Sequence, residues 1–158
     1  MRAEPSGRID ARALKVWRMT GGIVSLFAWL VTIGITGLTI SFGWYWIFPV
    51  LAGVIALMLS ICLIVIVPPV RWRRWRYEVS EREVDLKHGV IVVTRTLIPM
   101  VRVQHVDTAQ GPILRRYNLA TVTVSTAAGA HEIPALPVEE ADELRDKIAQ
   151  LAGIADDV

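Results

Sequence analysis

Charge is absent from a long run of this sequence. Residues 19–70 contain no Asp, Glu, Lys, Arg or His. An α-helix rises about 1.5 Å per residue, so a bilayer core about 30 Å thick takes about 20 residues. The run therefore predicts a transmembrane hairpin at 21–70, with spans near 21–42 and 46–67 joined by a tight turn.

Two alternatives to a membrane hairpin fit this run less well. A cleaved signal peptide has a shorter apolar core, about 7 to 15 residues long, followed by a small-residue cleavage site. A buried hairpin of a soluble protein would carry charge on at least one helix face. We therefore expect both helices to lie in lipid.

Cysteine is also scarce. The single cysteine, Cys62, excludes an intramolecular disulfide and lies inside the second span, where it is interpreted as an inert apolar side chain. Because neither span contains a charged residue, a proton relay, an ion path and a charge-coupled transporter core are disfavoured. The hairpin is predicted to be an anchor.

Basic residues border the hairpin on both sides, whereas the turn at 43–45 has none. Those before the first span are Arg2, Arg8, Arg12, Lys15 and Arg18. Those after the second span are Arg71, Arg73, Arg74 and Arg76. The positive-inside rule therefore predicts that both termini are cytoplasmic.

The N-terminal segment, 1–20, is predicted to be a basic cytoplasmic extension. Its first 11 residues include Pro5, Ser6 and Gly7 and show no hydrophobic periodicity, which predicts a mobile tail. Residues 11–19 have the pattern of a short helix that leads into the first span.

Small and hydroxyl residues recur at helical spacing in both spans. Such stripes let helices approach closely in lipid. In an antiparallel hairpin the two stripes would lie at matching depths, although small residues are also simply common in membrane spans. The predicted packing residues are Ala28, Thr32, Thr36, Ala52, Ala56 and Ser60.

The segment after the second span is predicted to contact the membrane surface. Pro68 and Pro69 are expected to stop the helix, because proline lacks an amide donor and disfavours helical geometry in the preceding residue. The chain would then run extended across the headgroups, with its arginines on anionic lipid and its tryptophans as interfacial anchors. The predicted membrane-surface residues are Arg71, Trp72, Arg73, Arg74, Trp75 and Arg76.

The remaining residues, 71–158, predict one small soluble domain. Alternation with a period of two, interrupted by turn residues, predicts about six or seven short antiparallel strands between Tyr77 and Leu136, including one over 91–98. After Pro137 the period becomes 3.6 and predicts an amphipathic helix over 138–152. Its apolar stripe is Val138, Ala141, Leu144, Ile148 and Leu151. The predicted fold class is α+β, with the hairpin followed by an antiparallel β-sandwich or barrel capped by a C-terminal α-helix.

Several motifs of this soluble part resemble, in order and spacing, the bacterial pleckstrin-homology-like (PH-like) domain of YdbS-type membrane proteins. The motifs are Arg76-Tyr77-Glu78-Val79-Ser80, Leu86-Lys87-His88-Gly89-Val90, Ile98-Pro99, Val103-Gln104-His105-Val106-Asp107, Gln110-Gly111-Pro112-Ile113-Leu114-Arg115-Arg116-Tyr117, Leu119-Ala120-Thr121-Val122-Thr123-Val124 and Ile133-Pro134-Ala135-Leu136. The resemblance covers about 75–152, and the two spans fit the family's layout. It implies a PH-like fold and a multi-pass protein of the bacterial inner membrane, with no established catalytic residues or ligand. Asn118 stands where the family often has Gly, and Asn tolerates a left-handed turn best among the other residues.

No motif predicts catalysis, so we expect no enzymatic activity, cofactor or metal. His88, His105 and His131 lack the close spacing of a zinc site. His105, Asp107 and Ser125 could be assembled into a hydrolytic triad on paper, but no nucleophile elbow or glycine-lined oxyanion motif supports it. Nucleic acid is not expected as a partner, because the C-terminal segment is acidic.

Arg115 and Arg116 are the candidate contacts for an anion or a partner. On a strand they would face opposite ways, so they form one clamp only in a turn or helix. The hairpin turn at 80–83 carries two acids against one base, unlike the basic cluster with which eukaryotic PH domains bind phosphoinositides.

Three functions stay open. The first is a membrane-anchored interaction or scaffold module on the cytoplasmic face, which binds a protein partner, including another membrane protein, through a sheet edge. The second is a sensor of a lipid headgroup or small ligand, and the third is an accessory subunit of a transport or envelope machine. Membrane lipids are expected contacts in each case, and a homo-oligomer is left open.

Overall fold

The computed structural model of the protein describes residues 4–153. The chain divides into two compact units. The hairpin unit is Leu14–Val70, and the sheet unit consists of the residues before Leu14 together with those after Val70.

The hairpin unit contains two long helices. The first, α1, spans Ala13–Phe42, and Gly43 adopts a φ of 63° in the turn that follows. The second begins as α2, Ile47–Ile61, passes through a π-helical segment, Cys62–Ile66, and continues as α3, Val67–Arg74. Both continuous helices are long and apolar enough to cross a membrane, and most of their large apolar side chains are exposed.

The prolines do not end the second helix, so the prediction of an extended chain after Val67 is wrong. Pro68 and Pro69 lie in the first turn of α3, where a missing amide is tolerated. The preceding π-helical turn prepares this position, because the Val67 amide donates to the Cys62 carbonyl five residues back. The helix therefore continues to Arg74.

The sheet unit has two antiparallel three-stranded sheets, which confirms the predicted α+β fold. The first sheet consists, in order, of β1 Arg76–Val79, β2 Glu83–His88 and β3 Thr94–Pro99. The second sheet consists, in order, of β4 Val103–Ala109, β5 Leu119–Thr126 and β6 Gly129–Pro137. A 3₁₀ turn, Met100–Arg102, leads from one sheet to the other.

The core is built from alternate positions of both sheets and from one helix. The buried strand residues include Val84, Leu86, Ile98, Leu119, Val122, Val124, Ile133 and Leu136. The C-terminal helix, α5, spans Val138–Leu151 and packs on β4, β5 and β6. Ala141 and Ile148 are fully buried, whereas Leu144 is only half-buried, so the predicted apolar stripe is centred on Ile148.

The ambiguous segment after Gly111 forms a short helix, α4, at Pro112–Arg116. Asn118 follows it with a φ of 54°. The expected left-handed backbone at Asn118 is therefore present.

The β2–β3 connection is longer than expected, so the prediction of a strand over 91–98 is wrong at its start. β2 ends at His88, which pairs with Thr94, and residues 89–93 form the loop between them. Gly89 adopts a φ of 128°, and a Cβ at this position would lie 1.9 Å from the Val92 carbonyl oxygen. This close reversal separates residues 91–93 from the β2 ladder.

The N-terminal segment is part of the sheet unit, so the prediction of a mobile tail is wrong for the described residues. Gly7 forms an antiparallel bridge with Tyr77 of β1, with N···O distances of 2.9 and 3.1 Å. The side chain of Ile9 is only 2% exposed. The Asp10 amide donates to the Ala135 carbonyl of β6 at 3.2 Å, so the segment joins the two sheets.

A bulge in β6 presents that carbonyl. Ala120 pairs with Leu136, whereas Val122 pairs with Ile133, which leaves two residues of β6 opposite one of β5. Ala135 within the bulge has a φ of 54°, a left-handed backbone that is rare for alanine.

Candidate functional site

Four of the six predicted packing residues of the hairpin lie together between α1 and α2. Ala28, Thr32, Ala52 and Ala56 line one cavity of about 290 Å³. The hydroxyls of Thr36 and Ser60 donate to carbonyls one turn back in their own helices, at Thr32 and Ala56. These hydroxyls therefore satisfy their hydrogen bonds without crossing between helices.

Among the glycines of the hairpin unit, Gly21 makes the closest approach to the other helix. A Cβ at this position would lie 2.6 Å from the Leu63 carbonyl oxygen. Only glycine fits such a contact, and Gly21 begins the stripe of small residues that helical spacing indicates in the first span.

The predicted membrane-surface residues divide into two groups. Arg71, Arg73 and Arg74 form the basic last turn of α3, and all three are exposed. The tryptophans instead pack within the sheet unit: the Trp72 indole donates to the Ile9 carbonyl at 3.2 Å, and Trp75 is 5% exposed. The Trp75 ring is therefore a core side chain rather than the interfacial anchor that was predicted, and Arg76 is the first residue of β1.

Trp75 forms one wall of an open cavity of about 500 Å³ in the sheet unit. Its ring stacks on the imidazole of His88, with centroids 5.4 Å apart and an interplanar angle of 19°. The other lining residues come from the end of α3, from the end of β2 and its loop, and from β6. They are Arg71, Leu86, Gly89, Val90, Ala130, His131, Glu132 and Pro134.

The chemistry of this cavity is mixed. Leu86 and Trp75 supply apolar surface, while Arg71, His131 and Glu132 supply charged and polar groups. Its volume lies within the range of about 300–1,000 Å³ that is typical of small-molecule sites. The sequence did not bring these residues together, because they come from three separate elements.

Arg115 and Arg116 are exposed side chains at the end of α4. The helical conformation removes the objection that neighbouring strand residues face opposite ways. The next carbonyl, that of Tyr117, accepts a 2.9 Å hydrogen bond from the Arg12 guanidinium.

Four strands form the edges of the two sheets: β1, β3, β4 and β6. The N-terminal segment bonds to β1 through Gly7 and to β6 through Asp10. Within residues 4–153, no strand pairs with the outer side of β3. Its Leu97 is 41% exposed, and Val101 just beyond it is 91% exposed.

β4 is a more polar edge than β3. Its exposed residues include Gln104, His105 and Asp107. His105 pairs with Ser125, and Asp107 pairs with Thr123. Within the described residues 4–153, no group of three His, Cys, Asp or Glu side chains is placed to hold a metal ion.

A partly buried ion pair lies on the outer face of the first sheet. Asp85 of β2 is 8% exposed and accepts hydrogen bonds from Arg95 of β3 at 3.0 and 2.5 Å. The contact with Asp85 is the main cause of a raised pKa for the Arg95 guanidinium. The pair joins β2 to the open edge strand and stabilises its position.

The hairpin, the two small sheets and the capping helix define a class, namely a membrane protein that carries a bacterial PH domain. The family model described as Bacterial PH domain matches residues 20–152. The chain belongs to this family.

Two relatives from Bacillus subtilis (strain 168) are similar to this chain. The UPF0699 transmembrane protein YdbS is 52% identical over 158 residues, which cover 99% of each chain. The UPF0699 transmembrane protein YdbT is 27% identical over 100 residues, which are 61% of this chain and 20% of that protein. The predicted resemblance to YdbS-type membrane proteins is confirmed, and no solved structure matches the chain.

Proposed function

We propose that this protein is a membrane-anchored interaction module without catalytic activity, which binds a protein partner through the edge of β3. The PH domain faces the cytoplasm at the inner membrane, and the hairpin is its anchor. The partner supplies an extended segment that adds to the sheet, and another membrane protein could supply it as well as a soluble one.

The open edge of β3 is the observation that carries this proposal. The edges of β1 and β6 receive hydrogen bonds from the N-terminal segment, and β4 presents mainly polar side chains. β3 combines an edge position with an exposed apolar side chain at Leu97, and the exposed Val101 follows it in the 3₁₀ turn. Backbone pairing would provide affinity, and these apolar residues would provide selectivity.

Site-specific photocrosslinking in native membranes tests this edge. A photoreactive amino acid at Leu97 should yield an adduct of discrete mass, whereas the same group at Gln104 on β4 should not. With the photoreactive group at Val101, a Leu97→Lys substitution should lower the yield several-fold, and Gln104→Lys should leave it unchanged. Equal yields at Leu97 and Gln104 would contradict strand addition at β3.

The cytoplasmic orientation rests on the distribution of basic residues and is tested by cysteine labelling. In a Cys62→Ala background, a cysteine at Gly43 should react with an impermeant reagent added outside intact cells. A cysteine at Ala128 should react only after the membrane is opened. The reverse pattern would invert the proposed topology.

The cavity beside Trp75 supports a second candidate function, the binding of a lipid headgroup or a small anionic molecule. Arg71 provides positive charge, Glu132 negative charge and His131 a further polar group, beside the apolar surface of Trp75. Glycerol phosphate, used as a soluble probe, should raise the melting temperature of the detergent-solubilised protein, and a His131→Ala variant should lose this shift. Arg116→Ala is the control variant, because Arg116 does not line this cavity, and it should keep the shift. If His131→Ala also keeps the full shift, glycerol phosphate binds elsewhere.

A further inference from the structure

We propose that residues 90–93 of the β2–β3 loop insert into the lipid interface as a second and shallow membrane contact. The loop exposes three consecutive large apolar residues. Ile91 is 92% exposed, Val92 is 74% exposed and Val93 is 45% exposed. A contiguous exposed apolar group of this kind marks a surface that contacts another apolar phase.

A direct contact joins this loop to the end of the membrane helix. The guanidinium of Arg74, the last residue of α3, donates a hydrogen bond to the Val90 carbonyl. Trp75 stacks on His88, which is the last residue of β2 before the loop. The apolar loop therefore lies at the end of the first sheet that is attached to the membrane helix.

Helix length places this attachment at the membrane surface. The helix Ile47–Arg74 has 28 residues, which correspond to about 42 Å. Because the hydrocarbon core is about 30 Å thick, Arg74 lies about 12 Å beyond it for an upright helix and closer for a tilted one. Because Arg74 contacts the Val90 carbonyl, Ile91 and Val92 lie only one and two residues from this attachment.

The charges around the loop favour the same occupant. Arg74, which contacts the loop, is exposed, as is Arg73 before it in the sequence, and basic side chains next to an apolar group are attracted to anionic lipid headgroups. A protein partner is the less favoured occupant, because the loop is joined to a helix that itself passes through lipid. This assignment is independent of a partner on β3, since Leu97 and Val101 lie towards the other end of that strand.

Val101 is a matched control for the loop, because it is also an exposed valine, at 91%. It follows β3 at the opposite end from Thr94, about 20 Å away for six extended residues. Only a contact specific to the loop would distinguish Val92 from Val101.

The test uses the full chain in proteoliposomes that contain anionic phospholipid. Val92→Cys and Val101→Cys, each in a Cys62→Ala background, are labelled with a polarity-sensitive fluorophore. We expect blue-shifted emission at Val92, with quenching by lipids that carry a nitroxide near the headgroup, and neither effect at Val101. The readout is the same for both orientations of the protein in the vesicle.

Two results would overturn the proposal. The first is emission at Val92 that matches Val101 and is not quenched by nitroxide lipid, which would place the loop in water. The second is shielding at Val92 that disappears when the protein is diluted in lipid, which would mean that a second copy covers the loop. An Ile91→Asp substitution in the labelled Val92→Cys protein should reduce the quenching, while the emission of a Val101→Cys protein with the same substitution stays unchanged.

Discussion

Replacing Ile9 by alanine tests the structural role of the N-terminal segment. The Ile9 side chain is 2% exposed, and its carbonyl accepts the indole hydrogen bond of Trp72. Truncating a buried isoleucine to alanine costs about 2–5 kcal/mol, because apolar contacts are lost and a cavity remains. Once the N-terminal segment has detached from the sheets, a further loss of its contacts has no effect on stability. The loss of unfolding free energy is therefore limited to the free energy with which the segment docks, and we expect about 2–3 kcal/mol.

The measurement is urea-dependent pulse proteolysis of the full chain in detergent micelles, with cleavage monitored in the sheet unit. Val101→Ala is the matched control, because a surface substitution should change the unfolding free energy by at most about 0.5 kcal/mol. Ile9→Val is a graded variant with an expected cost of about 0.5–1.5 kcal/mol. If Ile9→Ala is as mild as Val101→Ala, the segment does not contribute to the core of the sheet unit.

Three further predictions concern the same unit. Gly7→Ala should accelerate hydrogen exchange at the Tyr77 amide, because the new Cβ would lie 2.5 Å from the Tyr77 carbonyl oxygen and break the bridge; unchanged exchange would contradict this packing. Burial, and then the hydrogen bond to Glu140, raise the pKa of the Tyr77 phenol above its ordinary value of 10.0. The contribution of Tyr77 to the unfolding free energy is therefore complete below pH 10. It falls as the pH rises further, by up to about 1.4 kcal/mol per pH unit. Unfolding measured between pH 8 and about 11 should show a shallower decline for Tyr77→Phe than for the unaltered protein. Ile148→Ala should cost about 2–5 kcal/mol and Leu144→Ala clearly less, because only the first is fully buried; equal costs would mean that the helix face is misassigned.

Periodicity predicted the regular parts of this fold because one dominant force shapes each of them. Lipid requires long uncharged helices, and the turn near Gly43 follows from their length. In the sheet unit, one buried face imposes alternation on the strands, and the stripe through Ala141 and Ile148 imposes the helical period on α5. The left-handed backbone at Asn118 was predictable from the family resemblance, together with the tolerance of Asn for this conformation.

The N-terminal segment could not be predicted in this way, because its contacts are few and distant in sequence. Gly7 pairs with Tyr77, and Asp10 bonds to the carbonyl of Ala135. Ile9 is a single apolar residue among polar neighbours, so no periodic pattern marks it. The position depends on a bulge in β6 that turns one carbonyl towards the segment, and bulges leave little trace in single-sequence patterns.

Pro68 and Pro69 show how the helix-breaking effect of proline depends on the backbone conformation of the preceding turn. Pro68 and Pro69 break a helix only if the preceding turn is α-helical and needs their amides. The π-helical turn at Cys62–Ile66 changes the hydrogen-bond spacing just before them, and the helix restarts at Val67. Nothing in a run of apolar residues distinguishes a π turn from an α turn, so the continuation of the helix to Arg74 was not available from the sequence.

The cavity beside Trp75 was missed for a related reason. Its lining residues belong to α3, β2 and β6, and each is unremarkable within its own element. Trp75 and Arg71 were predicted to contact the membrane surface because both follow a membrane span. Trp75 instead lies in the core of the sheet unit, where it stacks on His88. A site assembled from three elements depends on tertiary packing, which periodicity does not report.

The wrongly predicted strand at residues 91–93 has a different cause. Valine and isoleucine favour strands, and the rule is reliable when the apolar side chains have a core to face. Here Gly89 closes the reversal against Val92, and β2 has ended at His88, so the three apolar residues have neither a ladder partner nor a core. Their exposure would be unfavourable in water alone, since each large apolar side chain gains about 1.5–3 kcal/mol on burial. Sequence-based rules fail most often at residues that are selected for a function rather than for the fold. Because Arg74 at the end of the membrane helix contacts this loop, the function that we infer for its apolar residues is contact with lipid.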